Sequence, residues 1–472
     1  MGPVTRSTDR PGFTGALALV SASTLVSMVA YAAPLGNAVT LTRAFAVRAA
    51  GTTWILSSMS LGLAVAMLGA GVLADEVGRR RVFRVGAAVF ALGSVACTTA
   101  TFGGPGTATA VFVGGRVVEG VGAAGMIATG LGLVASLATD DHHRTAASRW
   151  WAVAMGAGIA LGPVLAGLFD EVGATWWPAT YWLLAAVGVV VAGAGGRLLP
   201  EVAATRRRRL DVVGLALLTV GLCLLLVALV EARGGSVTAA WATGVGGVVV
   251  LALLVLSQMW RSTTLVERDL LRGSDFRAAN LAALVCGLGV IAIMSFSCTY
   301  LTRALGITTL QAGLLLCLWS GTSALAALAA RSLLGRLPGN RQLAAGLGGV
   351  GVGIALLTAV VPGSPVWQVV PGMLVAGVAS GVLNAGLARQ AVASVPPDRA
   401  AMGTGANNTM RYVGSSLGVT FVSVVALGAA DISAGWTVAA WVCAVVSVAG
   451  AVGVVLLGRT TSGQRPSATP TG

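Results

Sequence analysis

About fourteen apolar stretches, each long enough to cross a bilayer, follow one another along this chain with short connections between them. They lie near 13–34, 54–74, 82–101, 107–137, 146–169, 177–198, 211–230, 239–260, 277–300, 310–334, 343–361, 367–394, 405–428 and 434–457. A membrane-crossing helix needs about 20 apolar residues, and in hydrocarbon only helices and closed barrels satisfy every backbone N–H and C=O. Barrel strands alternate apolar and polar side chains, whereas these stretches are continuous runs of Leu, Ala, Val and Gly. With 56% hydrophobic and 10% charged residues, the chain has too little polar surface to enclose such runs in water. The expected fold class is an all-α integral membrane protein.

A formal net charge of +14 would suggest a nucleic-acid partner in a soluble chain, but here the basic residues are all arginine and mark topology. Connections after even-numbered stretches hold Arg79 to Arg81, Arg84, Arg144, Arg149, Arg206 to Arg209, Arg261 to Arg277, Arg336, Arg341 and Arg399. Connections after odd-numbered stretches hold only Arg43, Arg48, Arg233 and Arg303. The positive-inside rule therefore places the N- and C-termini in the cytoplasm, with lipid rather than nucleic acid as the partner. Arg6 and Arg10 ahead of the first stretch imitate a secretory signal, but further spans follow at once, so this stretch is expected to stay as an uncleaved helix.

Catalytic and metal chemistry find little support. The cysteines lie inside or at the ends of apolar stretches without Cys-x-x-Cys spacing, so neither a disulfide framework nor a metal site is expected. His142 and His143 stand with Asp140 and Asp141 in a short connection, read as a solvated loop rather than a catalytic cluster, and no enzyme activity is expected. Nothing matches Gly-x-x-x-x-Gly-Lys and the chain has no lysine, which excludes ATP-driven work within these residues.

The stretches group as six, two and six: an N-terminal half over 1–205, an inserted hairpin with linkers over 206–265, and a C-terminal half with a short polar tail over 266–472. Two related six-helix halves facing a central cavity are a recurrent transporter plan.

Three motifs sharpen this. The second connection reads Gly71-Val-Leu-Ala-Asp75-Glu-Val-Gly78-Arg79-Arg80, where two glycines permit a tight turn and close helix approach. Asp75 can pair there with Arg79 or Arg80, or with a neighbouring helix terminus, as a conformational latch. The fourth stretch carries Arg116 and, three residues on, Glu119. An arginine within a span costs about 2.5–3.5 kcal/mol on insertion scales, so it needs a partner, and Glu119 shares its helix face. The fifth stretch carries Gly158, Gly162, Pro163 and Gly167, a small-residue stripe with a helix-bending proline.

These motifs resemble those of the major facilitator superfamily, in particular its fourteen-helix drug:proton antiporter branch of multidrug exporters. The first matches Gly-x-Leu-Ala-Asp-Arg-x-Gly-Arg-Arg/Lys at Gly71, Leu73, Ala74, Asp75, Gly78, Arg79 and Arg80, with Glu76 departing from it. The second resembles Arg-x-x-Gln-Gly-x-Gly, with Glu119 at the glutamine position. The third resembles Gly-x-x-x-Gly-Pro-x-x-Gly-Gly, the stripe associated with exporters, with Ala166 departing. Tyr300 to Gly306, Gln311 to Gly313 and Gly403 to Gly418 echo the branch in the second half, where the repeat of the charged turn has decayed to Gly335 to Arg341 without an aspartate.

The resemblance implies a major facilitator fold of 14 transmembrane helices (6+2+6) and a monomer in a bacterial-type plasma (inner) membrane. It implies alternating-access export of a small amphiphilic substrate, a drug or secondary metabolite, in exchange for protons, with the gradient as energy source and no cofactor. Arg116 and Glu119 are then the proton-coupling candidates. A lipid or lipid-like exporter of the same fold is the alternative; an importer is a weaker one, because the fifth-stretch motif speaks against it. The aspartate that the branch carries in its first helix corresponds here to Leu25, which favours a neutral, weakly acidic or zwitterionic amphiphile over a lipophilic cation. Polar and aromatic candidates for the substrate cavity are Trp54, Ser58, Asn280, Trp319 and Asn384, with Ser57, Ser295, Asn407 and Asn408 beside them. Arg331 and Arg411 are read as snorkelling from near the cytoplasmic ends.

Overall fold

Where the sequence runs apolar, the chain is helical. The computed structural model describes residues 11–47, 49–138, 141–201, 211–234, 236–261, 264–265, 268–334, 338–396 and 400–459, and among them no strand occurs. The first six helices are α1 (Pro11–Ala44), α2 (Ala49–Val77), α3 (Arg79–Thr99), α4 (Pro105–Leu137), α5 (Asp141–Val172) and α6 (Trp177–Leu198). A hairpin of α7 (Val212–Gly234) and α8 (Val237–Trp260) follows, then the short α9 (Arg268–Arg272). The rest comprises α10 (Ser274–Val285), continued through a π-helical segment Cys286–Ile291 into α11 (Ala292–Leu305), α12 (Thr309–Leu334), α13 (Gly339–Leu357), α14 (Val369–Ala393), α15 (Ala400–Gly428) and α16 (Ile432–Arg459).

Among the described residues, 13 helices are long and apolar enough to cross a membrane. Helix α13 falls short of that set, because its first turn carries Asn340, Arg341 and Gln342. Helix α1 runs well past the expected end near residue 34: Pro34 removes one backbone hydrogen bond, and the helix kinks at Asn37 (φ −121°, ψ 22°) instead of stopping. In hydrocarbon, leaving the helix would strand more backbone groups than the proline does.

The helices pack as two bundles. Helix α4 lies against α3 and α2, α1 against α5 and α6, and α3 against α6. In the second bundle α14 lies against α13 and α12, α16 against α13 and α10, and α15 against α10 and the π segment. Between the bundles, α2 packs on α15 and α5 on α12. The second rod of each bundle thus meets the fifth rod of the other, the pattern expected of two related units facing each other. The α7–α8 hairpin leans on α2 and α15 from outside, and α8 buries only Gly247.

Candidate functional site

The polar centre of the first bundle is built on α4. Arg116 and Glu119 are both 0% exposed, with Arg116 Nη1 2.5 Å from Glu119 Oε2. Ser94 of α3 donates to Glu119 Oε1 at 2.5 Å, and Arg116 Nη2 donates to the Tyr31 carbonyl of α1 at 3.4 Å. The arginine also faces the Tyr181 ring of α6, 6.0 Å from its centroid. Small residues create this space: a Cβ on Gly93 would lie 2.9 Å from Glu119 Cγ, and one on Gly115 2.8 Å from Cys97 Sγ. Burying two charges costs several kcal/mol per ion, recovered only through close pairing and extra hydrogen bonds, which is what Ser94 and Tyr31 supply. Tyr31 continues the chain of contacts into the second bundle, its hydroxyl lying 2.6 Å from Ser415 Oγ of α15. The contacts thus run from Glu119 through Arg116 and Tyr31 to the surface between the bundles.

The small-residue stripe of α5 serves two helices at once. A Cβ on Gly158 would stand 2.6 Å from Met28 Cβ, and one on Gly162 2.7 Å from Ala32 Cβ and from the Val29 carbonyl, all on α1. Pro163 fills the place opposite Gly36 of α1 and lies beside Gly313 of α12, where a Cβ would be 3.2 Å from the Pro163 carbonyl carbon. Gly167 meets α12 as well, with Leu310 Cα 3.0 Å from where a Cβ would be. The stripe is thus a three-helix junction between the bundles.

The α2–α3 connection is a single residue, Gly78, at φ 99°, where a side chain would be strained. Of the two glycines expected to bring helices together, Gly71 does not: nothing lies within 4 Å of where its Cβ would stand, because that face of α2 is open. The side chains of Asp75 and Glu76 lie outside the described residues, and the expected pairing of Asp75 with them. Arg79 stacks its guanidinium over Gly132 of α4. Arg80 donates to the Gly196 carbonyl of α6 and lies 3.3 Å from Glu201 Oε2. Its described partners all belong to the first bundle.

The cavity candidates lie on four helices, α2, α10, α12 and α14, with Trp54 near the start of α2 and Asn280 near the start of α10. Trp319 is 1% exposed and donates through Nε1 to Ser380 Oγ of α14 at 3.1 Å, a bond internal to the second bundle. Ser58 is buried, and Asn384 is partly exposed on α14. Asn280 donates to the Phe276 carbonyl at 2.8 Å. The His143 ring meets Phe13 edge-on at 4.6 Å, while the side chain of His142 lies outside the described residues.

Arg411 corrects the sequence reading. It does not snorkel: it is 8% exposed, nine residues inside the apolar stretch Met402–Gly428, and its Nη2 reaches Met155 Sδ of α5 at 3.6 Å. The side chain of Arg331 lies outside the described residues. Sequence reasoning also missed Tyr31, Ser94 and Asp170, whose Oδ2 accepts from Thr40 of α1 at 2.7 Å. Each meets its partner on a different helix, which the periodicity of one helix does not report.

Comparison with known proteins gives a family model, described as "Major Facilitator Superfamily", matching residues 17–419 and 279–471. The chain is 31% identical over 386 residues to the "Probable actinorhodin transporter" of Streptomyces coelicolor, covering 79% of this chain and 66% of that protein. It is 26% identical over 383 residues to "Multidrug resistance protein Stp" of Mycobacterium tuberculosis, covering 80% and 69%. The chain thus spans about two-thirds of the length of these relatives. Among solved structures, a partially occluded inward-open xylose transporter XylE from E. coli superposes with a TM-score of 0.65 at 15% identity, covering 93% of this chain and 98% of that one. The human organic anion transporter MFSD10 superposes with a TM-score of 0.62 at 17% identity, covering 94% and 100%.

Proposed function

The chain belongs to the Major Facilitator Superfamily and is a multi-pass membrane protein, and from that footing we propose that it exports amphiphilic drugs or secondary metabolites in exchange for protons. The relatives named for drug resistance and for actinorhodin support the cargo class. In this reading the transporter acts as a monomer in the plasma membrane with fourteen spans and both termini cytoplasmic. Halves over 1–205 and 266–472 rock about a central path while the hairpin over 206–265 rides outside.

The observation that carries the reading is the fully buried Arg116–Glu119 pair and its link through Tyr31 to Ser415 of the opposite bundle. When Glu119 takes up a proton, Arg116 loses its counter-charge, and removing one partner of a buried pair costs about 3–5 kcal/mol. Moving a two-state equilibrium from 1:99 to 99:1 takes about 5.5 kcal/mol, so one protonation is of the size needed to bias the two bundles. A membrane potential adds about 2.3 kcal/mol per charge per 100 mV. The α5 stripe, gripping α1 and α12 together, supplies the pivot in this scheme.

A second reading, export of a lipid-like cargo, draws on an apolar groove of about 850 Å³ between the hairpin and the second bundle, lined by Leu225, Trp241, Leu288, Phe421 and Val446. A susceptibility panel separates these readings. Cells making the protein are expected to tolerate several-fold higher doses of some soluble amphiphiles, and an uncoupler that collapses the proton gradient is expected to abolish the difference. Unchanged susceptibility across the panel, with the protein present in the membrane, would contradict the drug-export reading.

A further inference from the structure

The membrane interior of this protein holds a second buried arginine, and unlike Arg116 it has no counter-charge among the described residues. Arg411 of α15 is nine residues past Met402, where the apolar stretch begins. At about 1.5 Å rise per residue that is about 13 Å from its end, beyond the reach of a snorkelling side chain. Its side chain makes two weak contacts through one nitrogen: Nη2 to Met155 Sδ at 3.6 Å and to the Tyr412 hydroxyl at 3.4 Å. The guanidinium carbon lies 5.2 Å from the Tyr412 ring centroid, and Nε, buried, has no hydrogen-bond partner. A guanidinium offers five N–H donors in a planar fork, and a thioether is a poor acceptor, so most of this donor capacity is unspent.

No carboxylate among the described residues is placed to answer it. Among the described residues, Glu119 is the one Asp or Glu more than four residues inside a membrane-length helix, and it is held 2.5 Å from Arg116. The nearby first-helix residue is Leu25, which carries no charge and whose carbonyl packs on Gly158, one turn along α5 from Met155. An unpaired cation in hydrocarbon is costly, and such residues face a pathway or a partner.

The surroundings suit an anion with an aromatic or apolar body. Arg411 comes from the second bundle and Met155 from the first, so the arginine spans the surface along which the bundles meet. Beside it stand the hydroxyls of Tyr31 and Ser415, again one from each bundle and 2.6 Å apart, and the Tyr31 and Tyr412 rings cross edge-on with centroids 6.4 Å apart. On its other side α15 interlocks with the π-helical segment Cys286–Ile291, where Gly287 rests directly on the backbone of Arg411 and Ser415. Single π turns recur at functional sites because they reposition side chains within a helix.

We propose that Arg411 is a specificity-determining residue of the transport path, binding the carboxylate, sulfonate or phenolate head of an acidic aromatic amphiphile whose rings lie against Tyr31, Tyr412 and Met155. The proposal rests on the exporter reading for its meaning but not for its test. An anion seated on Arg411 supplies the counter-charge that the described residues do not. Because its contacts come from both bundles, loading the site and holding the bundles together become one event. The selectivity follows from sign: a lipophilic cation would meet Arg411 with no carboxylate between them.

The test is equilibrium binding to the full chain in nanodiscs of zwitterionic phosphatidylcholine, read by fluorescence anisotropy with empty nanodiscs as baseline. The probes are fluorescein, an anionic xanthene, and rhodamine 6G, a cationic one. Wild type is expected to bind fluorescein at least about ten-fold more tightly than rhodamine 6G. Arg411→Gln is expected to erase that preference, and Arg411→Lys to keep most of it. Rhodamine 6G bound as tightly as fluorescein by the wild type would overturn the proposal. So would undiminished fluorescein binding by a monodisperse Arg411→Gln protein, the result expected if the arginine only stacks on Tyr412. If Arg411→Gln does not fold, the preference of the wild type decides alone. Fluorescein that binds through Arg411 but is never moved in vesicles would contradict export and leave this site standing, whereas export confined to rhodamine 6G would do the reverse.

Discussion

Gly162→Leu abolishes transport while the protein still reaches the membrane: this is the expected result at the α1–α5–α12 junction. A Cβ at residue 162 would already stand 2.7 Å from Ala32 Cβ and from the Val29 carbonyl, and leucine adds three more carbons beyond it. Those neighbours belong to the helix itself, so relief requires α1 and α5 to part, and overpacking of this kind costs about 1–3 kcal/mol or more. Pro163 next door sits between Gly36 and Gly313, so a displaced α5 also loses its fit to the second bundle. The decisive comparison is Gly71→Leu, which the structure places facing open space and which is expected to transport within about two-fold of wild type. Substrate efflux from vesicles carrying equal amounts of each protein checks both. Normal export by Gly162→Leu would remove the α5 stripe from the mechanism.

Breaking the α4 pair is expected to have the other large effect, and to divide into two separable parts. Glu119→Gln leaves Arg116 buried without a counter-charge, a loss of about 3–5 kcal/mol that should appear as a lower unfolding temperature in detergent. It should also flatten the dependence of transport on pH, since no proton can then bind at residue 119. Replacing both residues, Arg116→Met with Glu119→Leu, removes the stranded charge and is expected to recover most of the stability, because apolar pairs often substitute for buried ion pairs without loss. Coupling is not expected to return. A double variant with wild-type pH dependence would show that the pair only holds α3, α4 and α1 together.

How much of this was legible in the sequence depended on whether a signal was local. The stretch read near 177–198 is α6, Trp177–Leu198, and the one near 239–260 is α8, Val237–Trp260. Continuous apolarity between charged or proline-marked ends fixes such helices. The first stretch was read short, since Pro34 looks like a terminator and in a membrane it is only a kink. The spacing of Arg116 and Glu119 put them on one face of α4, and they do bond there. Their further partners, Ser94 and the Tyr31 carbonyl, come from α3 and α1, and no spacing along one helix announces them. Asp75 was open to Arg79, Arg80 or a neighbouring helix terminus, and its side chain lies outside the described residues; what no local spacing announces is that Arg80 meets Glu201, past the end of α6. Arg411 was misplaced for a simpler reason. The helix begins at Ala400 rather than near 405, so a residue read as terminal lies deep between the bundles.

Efflux from proteoliposomes under an imposed pH gradient, with no nucleotide present, tests proton-driven export most directly. Vesicles preloaded with an amphiphile are given a pH difference of either sign, and substrate and proton movement are recorded together. The expected result is that substrate moves against the proton flow, reverses direction when the gradient is reversed, and stops when a protonophore is added. Substrate movement of the same rate and direction whatever the gradient, or movement of substrate and protons in the same direction, would contradict it.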